Sequence, residues 1–461
     1  MAGIGFTLER MTQGRSLNAT VTAYFCAAFI VAGPWILTVL GIAGVSFIAC
    51  EGQCLSVQIF RSVIIYNSLF SLIVTTPIAY VCTRFVSDRL YEGRAEHVAF
   101  ALFAGLCAFA VLAAILATPF YLLATTLSPM ERLASVQNVM LVGGTWLLIP
   151  FMGALQNFAA VLSGFALGAA VMVVTAAVAP GTTPFWLLTG FNSGLCVIDL
   201  ILLWRLSQEF GVRLSPDHAL WRTLRYYWEL PVIGVTYGLG LWIDKLIMWS
   251  AAPKGTLKVA GALQTMPSYD TPMFWAQLAT LPAATIFFVH VETRFFHLSR
   301  NFYARIKDRA CLDELESLIS ELGSFTSRSV AGLFVVAALV SALAILASFV
   351  AIDPLGLRAN QMGILRNGLI GMACHSCAMF CFILLLYLDL RRQALALSLI
   401  FLILNGLLTA AFLPLGFPFY GYGNMLASAC AFVAAIVMLA RELPWLHFHI
   451  FVTNNQSIRQ R

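Results

Sequence analysis

Charged residues are scarce in this chain. Asp, Glu, Lys and Arg make up 10% of its 461 residues, whereas 60% of the residues are hydrophobic and the mean hydropathy is +0.87. A soluble globular domain carries about a quarter of its residues as charges. The composition therefore excludes an ordinary soluble domain and a disordered chain, and it predicts a polytopic membrane protein.

The sequence motifs of nucleotide and catalytic chemistry are also missing. The chain has no G-x-x-x-x-G-K-[ST] phosphate loop, no H-E-x-x-H zinc pair, no G-x-S-x-G nucleophile elbow and no D-x-D pair. It also lacks a polar segment long enough to form a soluble domain that would hold a nucleotide sugar or a nucleic acid. We therefore predict a protein that is not an enzyme, has no cofactor and no metal, and does not bind nucleic acid.

The eleven cysteines are an odd number and cannot all pair within one chain. Most of them lie inside apolar stretches, as packing residues do. Cys50 and Cys54 are the exception, because they flank a short polar loop that an oxidising compartment could close as a disulfide, although small loops are strained when closed. The cluster from Cys374 to Cys377 contains His375, but its apolar helical surroundings favour packing over metal ligation.

Long apolar runs dominate the remainder of the sequence, and each is about long enough to cross a bilayer as a helix. The sequence predicts an all-α fold with about 12 transmembrane helices. The predicted spans are 20–48, 59–82, 99–127, 136–157, 160–179, 185–206, 230–252, 272–291, 329–352, 363–388, 393–413 and 424–440.

A polar, Arg-containing stretch divides these spans into two sets of six. We predict an N-terminal six-helix half over 1–206, a cytoplasmic linker over 207–229, a C-terminal six-helix half over 230–440 and a cytoplasmic tail over 441–461. Lys and Arg are concentrated on the side of the membrane that also holds both termini, which predicts that this side is cytoplasmic and explains the net charge of +6.

Ionisable residues inside the spans point to a functional path, because they are costly at membrane depth. Asp244 and Lys245 are adjacent in the seventh span, and Asp199 lies inside the sixth. Neighbours on a helix diverge by about 100°, so we expect at most one of Asp244 and Lys245 to face the path. Asp199 has two interpretations, since it could face a cavity or bond a neighbouring helix.

Glycine and proline interrupt the first and seventh spans at similar positions. Gly33-Pro34 stands in the first span, whereas Pro231, Gly234 and Gly238 stand in the seventh. Interrupted helices at matching positions of two halves are typical of a transport path, but small residues at this spacing also allow close helix packing, as they would at Gly164 and Gly168. Both interpretations remain open at this stage.

The longest polar segment follows the eighth predicted span. Apolar residues recur at helical spacing through 292–328, with charged residues between them, which predicts a cytoplasmic amphipathic helix. The helix either lies on the inner leaflet or is a docking platform for a cytoplasmic partner. The candidate docking residues are Glu292, Arg294, Arg300 and Arg305.

Several short motifs resemble the PelG family, the inner-membrane transport proteins of the bacterial Pel exopolysaccharide system. They are Met1 to Phe6, Gly33-Pro34-Trp35, Trp242-Ile243-Asp244-Lys245, the Pro267 to Pro272 loop, and Glu292 to Phe296 with Phe302-Tyr303. The resemblance extends over the whole chain. It implies a fold similar to the MATE and other flippases of the MOP superfamily, a location in the bacterial inner membrane and a GalNAc-rich polysaccharide substrate. The implied partners are a glycosyltransferase (PelF), a cyclic-di-GMP receptor (PelD) and a membrane scaffold (PelE), besides membrane lipids.

The resemblance and the residues together predict export of nascent Pel polymer through a cavity lined partly by spans one and seven. The candidate path residues are Asp244, Lys245, Trp242, Asp199 and Trp35. Their aromatic rings would stack on sugar rings, and their polar groups would hydrogen-bond to sugar hydroxyls. Two alternatives remain: a non-transporting scaffold for the glycosyltransferase, and an ion-coupled exporter of small molecules or lipid-linked sugars.

Overall fold

The structure is a computed structural model that describes residues 17–49, 54–155, 158–252, 255–279, 281, 295–350 and 356–453. Helices occupy most of this part of the chain, because a backbone at membrane depth has no water to bond and must satisfy its own N–H and C=O groups. Residues 282–291 of the eighth predicted span lie outside the described part of the chain, and each span overlaps helices where it is described. In the first half these are α1 (Leu17–Ala49), α2 (Leu55–Tyr91), α3 (Val98–Pro119), α4 (Pro129–Leu155), α5 (Phe158–Ala177) and α6 (Pro184–Phe210).

The remaining described helices include several shorter than a bilayer span. They are α7 (Ala219–Tyr226), α8 (Glu229–Gly240), α9 (Ile243–Ala251), α10 (Pro267–Leu278), α11 (Phe296–Lys307), α12 (Leu312–Ser348), α13 (Met362–Tyr387), α14 (Arg391–Phe412) and α15 (Tyr422–Glu442). Within the described residues, eight helices are long and apolar enough to cross a membrane by themselves. With α8 and α9 counted as one bent span, the number is nine. The all-α, polytopic prediction is therefore confirmed.

Three local predictions need correction. The seventh span is not one helix over 230–252, because it is interrupted after Gly240 and bends between α8 and α9. The segment that begins at Pro267 is helical and not a loop, which suits a proline in the first helical turn, where no amide hydrogen is needed. The polar segment 292–328 is not one amphipathic helix: its described part forms α11 and the start of α12, and Arg309 adopts a positive φ of 58° in the turn between them.

The chain forms two compact units. The amino-terminal unit contains Ala32–Trp242 and Trp249–Pro267, and the carboxy-terminal unit contains Met1–Val31, Ile243–Met248 and Ser268–Arg461. The units do not coincide with the predicted halves, since most of the predicted seventh span belongs to the amino-terminal unit. In the amino-terminal unit α2 packs on α3, α4 and α8, and α6 packs on α4 and α5. In the carboxy-terminal unit α15 packs on α13 and α14, and α12 packs on α13.

A small β-hairpin belongs to the amino-terminal unit. Its strands, β1 (Leu257–Ala260) and β2 (Leu263–Thr265), pair in antiparallel fashion. Gly261 in the turn has a φ of +64°, and a Cβ at this position would lie 2.6 Å from the carbonyl oxygen of Ala124. That carbonyl accepts a hydrogen bond from the backbone N–H of Ala262 at 2.8 Å. Only glycine allows the hairpin to approach Ala124, at the end of the π-helical turn that follows α3, this closely.

Candidate functional site

Asp244 is fully buried and is bonded to a tyrosine from the next helix. The hydroxyl of Tyr269 donates a hydrogen bond to Oδ2 of Asp244 at 2.7 Å. Nζ of Lys245 lies 3.8 Å from Oδ1 of Asp244, which accepts no hydrogen bond from the described residues. Asp244 has an exposed fraction of 0% and Lys245 of 8%. The two charges therefore lie within ion-pair distance inside the carboxy-terminal unit, although neighbours on a helix were expected to diverge.

The break after α8 gives Asp244 its position. The chain leaves the helical path at Leu241 and Trp242, and α9 starts at Ile243, so that Asp244 stands in the first turn of a new helix. Such a position favours an acidic side chain, because the first N–H groups of a helix are unsatisfied and carry positive potential. Ile243 packs against α14, where a Cβ at Gly406 would lie 3.3 Å from its Cγ1. These contacts hold the start of α9 in the carboxy-terminal unit.

Trp242 belongs to the amino-terminal unit and lies in a row of aromatic rings. Its ring centroid lies 6.2 Å from that of Trp249. The ring of Trp249 stacks on Tyr66 at 5.0 Å, and Tyr66 stacks on Phe120 at 5.4 Å. Trp242 and Phe120 are half-buried, whereas the two rings between them are buried. Trp242 therefore offers an accessible aromatic surface directly before Asp244 in sequence.

A chain of buried amides crosses the amino-terminal unit. The hydroxyl of Tyr121 donates to Oδ1 of Asn67 at 2.6 Å, and Nδ2 of Asn67 donates to Oδ1 of Asn138 at 2.9 Å. Nδ2 of Asn138 donates to Oδ1 of Asn192 at 2.7 Å. Backbone carbonyls of Ala134 and Ser135 accept further hydrogen bonds from these amides, so the network is well satisfied. This network joins α2, α4 and α6 with the π-helical turn Phe120–Ala124 that follows α3.

Asp199 makes a second polar contact between α4 and α6. The hydroxyl of Thr145 donates to its Oδ1 at 2.6 Å. Thr145 follows Asn138 by seven residues, and Asp199 follows Asn192 by seven, so both helices repeat the polar pair after about two turns. Gly144 leaves room beside the carboxylate, because a Cβ there would lie 3.2 Å from Oδ2. Of the two interpretations of Asp199, its bond to a neighbouring helix is observed.

The amide chain should be sensitive to the loss of Asn138. We expect Asn138→Ala to destabilise the protein by about 2 kcal/mol, because it removes two interhelical hydrogen bonds, leaves the buried Oδ1 of Asn192 without its donor and leaves Nδ2 of Asn67 with only the Ser135 carbonyl as acceptor. Denaturant unfolding in detergent measures the loss. Ser135→Ala is the matched control, since the Ser135 hydroxyl bonds only a carbonyl of its own helix. Equal losses in the two variants would contradict the proposed importance of the interhelical bonds.

The other predicted site residues are spread over the chain. Trp35 is half-buried in α1 and belongs with Asp199 and Trp242 to the amino-terminal unit, whereas Asp244 and Lys245 belong to the carboxy-terminal unit. Of the docking candidates, Arg300 and Arg305 are exposed, and Nε of Arg305 lies 3.3 Å from Oε1 of Glu314. Glu292 and Arg294 lie outside the described residues. Cys54 is disulfide-bonded, while Cys50, its predicted partner, also lies outside them.

Sequence reasoning missed Tyr269 and the amide chain. In the sequence Tyr269 is only part of a short motif, and nothing there indicates that α10 returns to Asp244. Asn67, Asn138 and Asn192 carried a usable signal, since amides inside apolar spans need hydrogen-bond partners. The pairing itself depends on which helices are neighbours, and this cannot be read from the spans alone.

A model of the family described as "PelG: Putative exopolysaccharide Exporter (EPS-E)" matches residues 1–451. No protein with curated annotation matches the chain closely enough to indicate kinship.

Solved structures of MATE transporters have the same fold. An outward-facing multidrug resistance MATE transporter of the MOP superfamily has a TM-score of 0.60 and 12% identity, covering 91% of this chain and 96% of that one. A MOP superfamily transporter from Pyrococcus furiosus, whose binding pocket is described as having reverse polarity, has a TM-score of 0.60 and 11% identity. The match covers 91% of this chain and 96% of that one. A MATE transporter in a bent conformation has a TM-score of 0.57 and 12% identity, covering 97% of this chain and 94% of that one.

These structures establish the fold, and the family match covers nearly the entire sequence. Family and fold together indicate a multi-pass membrane transporter. The chain therefore belongs to the PelG family of exopolysaccharide exporters, built on the fold of MOP superfamily transporters.

Proposed function

We propose that this chain moves nascent Pel polymer, a GalNAc-rich polysaccharide, across the bacterial inner membrane. It would act as the transport component of a complex with the glycosyltransferase PelF, the receptor PelD and the scaffold PelE, with both of its own termini in the cytoplasm. The family match over residues 1–451 supports the polysaccharide substrate. The absence of nucleotide motifs from the sequence agrees with a division of labour in which another chain performs the synthesis.

The observation that carries the proposal is the interruption between α8 and α9. A helix at membrane depth is rarely interrupted unless the break is enclosed by protein or lines a water-filled path. Here a half-buried Trp242 stands at the break, and a buried Asp244 follows it. An aromatic ring beside a polar break is the kind of surface that binds sugars, which stack on rings and hydrogen-bond to isolated polar groups.

The candidate residues would then divide into two roles. Trp242 and Trp35 are half-buried and could contact the polymer directly. Asp244 is enclosed, so in this proposal it acts on the path by holding α9 in position through Tyr269, with Lys245 offsetting its charge. Asp199 would add a polar group between α4 and α6, where its carboxylate already bonds Thr145.

Asp244→Asn tests the proposal. Asparagine keeps the size of the side chain and can still accept a hydrogen bond from Tyr269, but it leaves Lys245 without the neighbouring negative charge. We expect polymer export to fall at least about tenfold when it is normalised to the amount of assembled protein. Wild-type export by a variant that is made and assembled normally would contradict a role for Asp244 in the path.

A scaffold would give the opposite pattern. Trp242→Ala would then leave export intact, whereas removal of Phe296–Lys307 would abolish co-purification of the glycosyltransferase. An ion-coupled exporter of small molecules would be recognised by drug efflux that follows a sodium or proton gradient. Scoring export, co-purification and efflux in the same strains therefore separates all three functions.

A further inference from the structure

The segment between α6 and α8 is tied to the rest of the amino-terminal unit, although its composition predicts a simple polar linker. Its backbone leaves α6 at Gly211, forms α7 and re-enters the apolar region at α8. The contacts that hold it are made by residues at the end of α2 and directly after it. They are the ion pair of Arg89 with Asp217 at 3.2 Å, the contact of His97 Nδ1 with the carbonyl oxygen of Ser215 at 3.1 Å, and the hydrogen bond from Arg84 to the Tyr227 hydroxyl at 2.9 Å.

These polar contacts on either side of α7 determine which face of the helix points away from the protein. Ala219 and Thr223, four residues apart, are buried. Trp221 and Arg225, also four residues apart, lie on the opposite face, and Trp221 has an exposed fraction of 70%. Because residues at this spacing share one side of a helix, α7 presents a tryptophan and an arginine outward together.

Two neighbours extend this surface. Trp228, directly before α8, has an exposed fraction of 54%, and Arg222 is exposed beside Trp221. The side chains of Arg222 and Arg225 make no hydrogen bond or ion pair with any residue in the described part of the chain. We call Trp221, Arg222, Arg225 and Trp228 the linker surface. It combines two large apolar rings with two cations that have no protein counter-charge there.

The geometry points to the linker surface as a binding site for anionic phospholipid headgroups. Tryptophan is enriched at membrane interfaces because its ring is apolar while its N–H can reach water or a headgroup. Arginine binds phosphate through several N–H donors at once. The short linker joins two apolar helices of the same unit, so lipid headgroups are the phosphates that such a surface would meet first.

The charge of the linker surface favours an anionic lipid headgroup over a zwitterionic one. Asp217 is already paired with Arg89, so Arg222 and Arg225 remain as uncompensated cations on the outward face. A cation near an anionic leaflet contributes binding energy, whereas a zwitterionic headgroup attracts it much less. A surface of this kind fixes the depth and orientation of the end of the unit relative to the lipid headgroups.

Tryptophan quenching by brominated lipid tests the proposal on the full-length protein. The protein is reconstituted in vesicles of phosphatidylcholine with added phosphatidylglycerol, and either lipid is brominated in turn. The difference in emission between the wild type and the double variant Trp221→Phe with Trp228→Phe isolates the two rings. We expect brominated phosphatidylglycerol to quench this difference signal more strongly than brominated phosphatidylcholine at equal content.

The arginines are tested in the same vesicles. The double variant Arg222→Gln with Arg225→Gln should remove the preference for phosphatidylglycerol, and its apparent affinity for that lipid should fall on the order of tenfold. The matched control is Arg392→Gln with Arg441→Gln, which removes two exposed cations from α14 and α15 and should leave the signal from the two rings unchanged.

Three results would overturn the proposal. No quenching of the two rings by either lipid would mean that the surface faces water. Equal quenching by both lipids would mean that the arginines do not select anionic headgroups. Loss of glycosyltransferase co-purification in the Arg222→Gln, Arg225→Gln variant with unchanged lipid quenching would make the surface a protein interface.

Discussion

Asp244→Ala is expected to lower the free energy of unfolding by about 3 kcal/mol or more. The substitution leaves Lys245 buried without the carboxylate that lies 3.8 Å away, and it removes the acceptor of the Tyr269 hydroxyl. Breaking a buried pair costs more than the pair contributes, because the remaining charge keeps its desolvation penalty. Denaturant unfolding in detergent measures the loss, and a lower protein level in cells should accompany it.

A double-mutant cycle assigns this loss to the contacts around Asp244. Tyr269→Phe removes only the hydroxyl and should cost about 2 kcal/mol, since the bond is made to a charged group. Because both variants break the same hydrogen bond, the double variant should lose less than the sum of the single losses. Glu316→Ala on an exposed face of α12 is the control and should change stability by less than about 0.5 kcal/mol. Additive losses would show that the Tyr269 contact is not coupled to Asp244.

Gly234→Ala is expected to destabilise the amino-terminal unit by about 3 kcal/mol. A Cβ at Gly234 would lie 2.5 Å from the backbone nitrogen and 2.6 Å from Cα of Pro77 in α2. No side chain can rotate away to relieve this clash, so α2 and α8 would have to move apart. Thermal unfolding of the purified protein measures the effect.

The same helix supplies the control one turn later. At Gly238 a Cβ would be 3.7 Å from its nearest neighbour, Ile73, which is ordinary contact. Gly238→Ala should therefore be neutral or stabilise by up to about 1 kcal/mol, because alanine favours the helix. If the two alanine variants behave alike, close packing does not explain Gly234. Gly168 resembles Gly234, since a Cβ there would lie 2.8 Å from the carbonyl oxygen of Gly194.

Hydropathy was sufficient to predict the helices, because the cost of unpaired backbone groups in a bilayer leaves few alternatives to a helix. It could not predict the interruption at Leu241 and Trp242. Glycines in this span are compatible both with a broken helix and with a continuous helix that packs closely on its neighbour. For Gly234 and Gly168 the structure supports close packing. At Asp244 the prediction of a special site rested on the cost of a buried charge, and that charge proves to be bonded to Tyr269.

The contacts of Tyr66 link two parts of the amino-terminal unit that the sequence keeps far apart. Its ring stacks on Trp249, and its hydroxyl lies 3.0 Å from the carbonyl oxygen of Gln264 and accepts the backbone N–H of the same residue at 3.1 Å. Any movement of the hairpin must therefore disturb a ring that is in van der Waals contact with an indole. Because the chain has ten tryptophans, the difference in emission between the wild type and Trp249→Phe isolates this indole and records the position of the hairpin without an attached label.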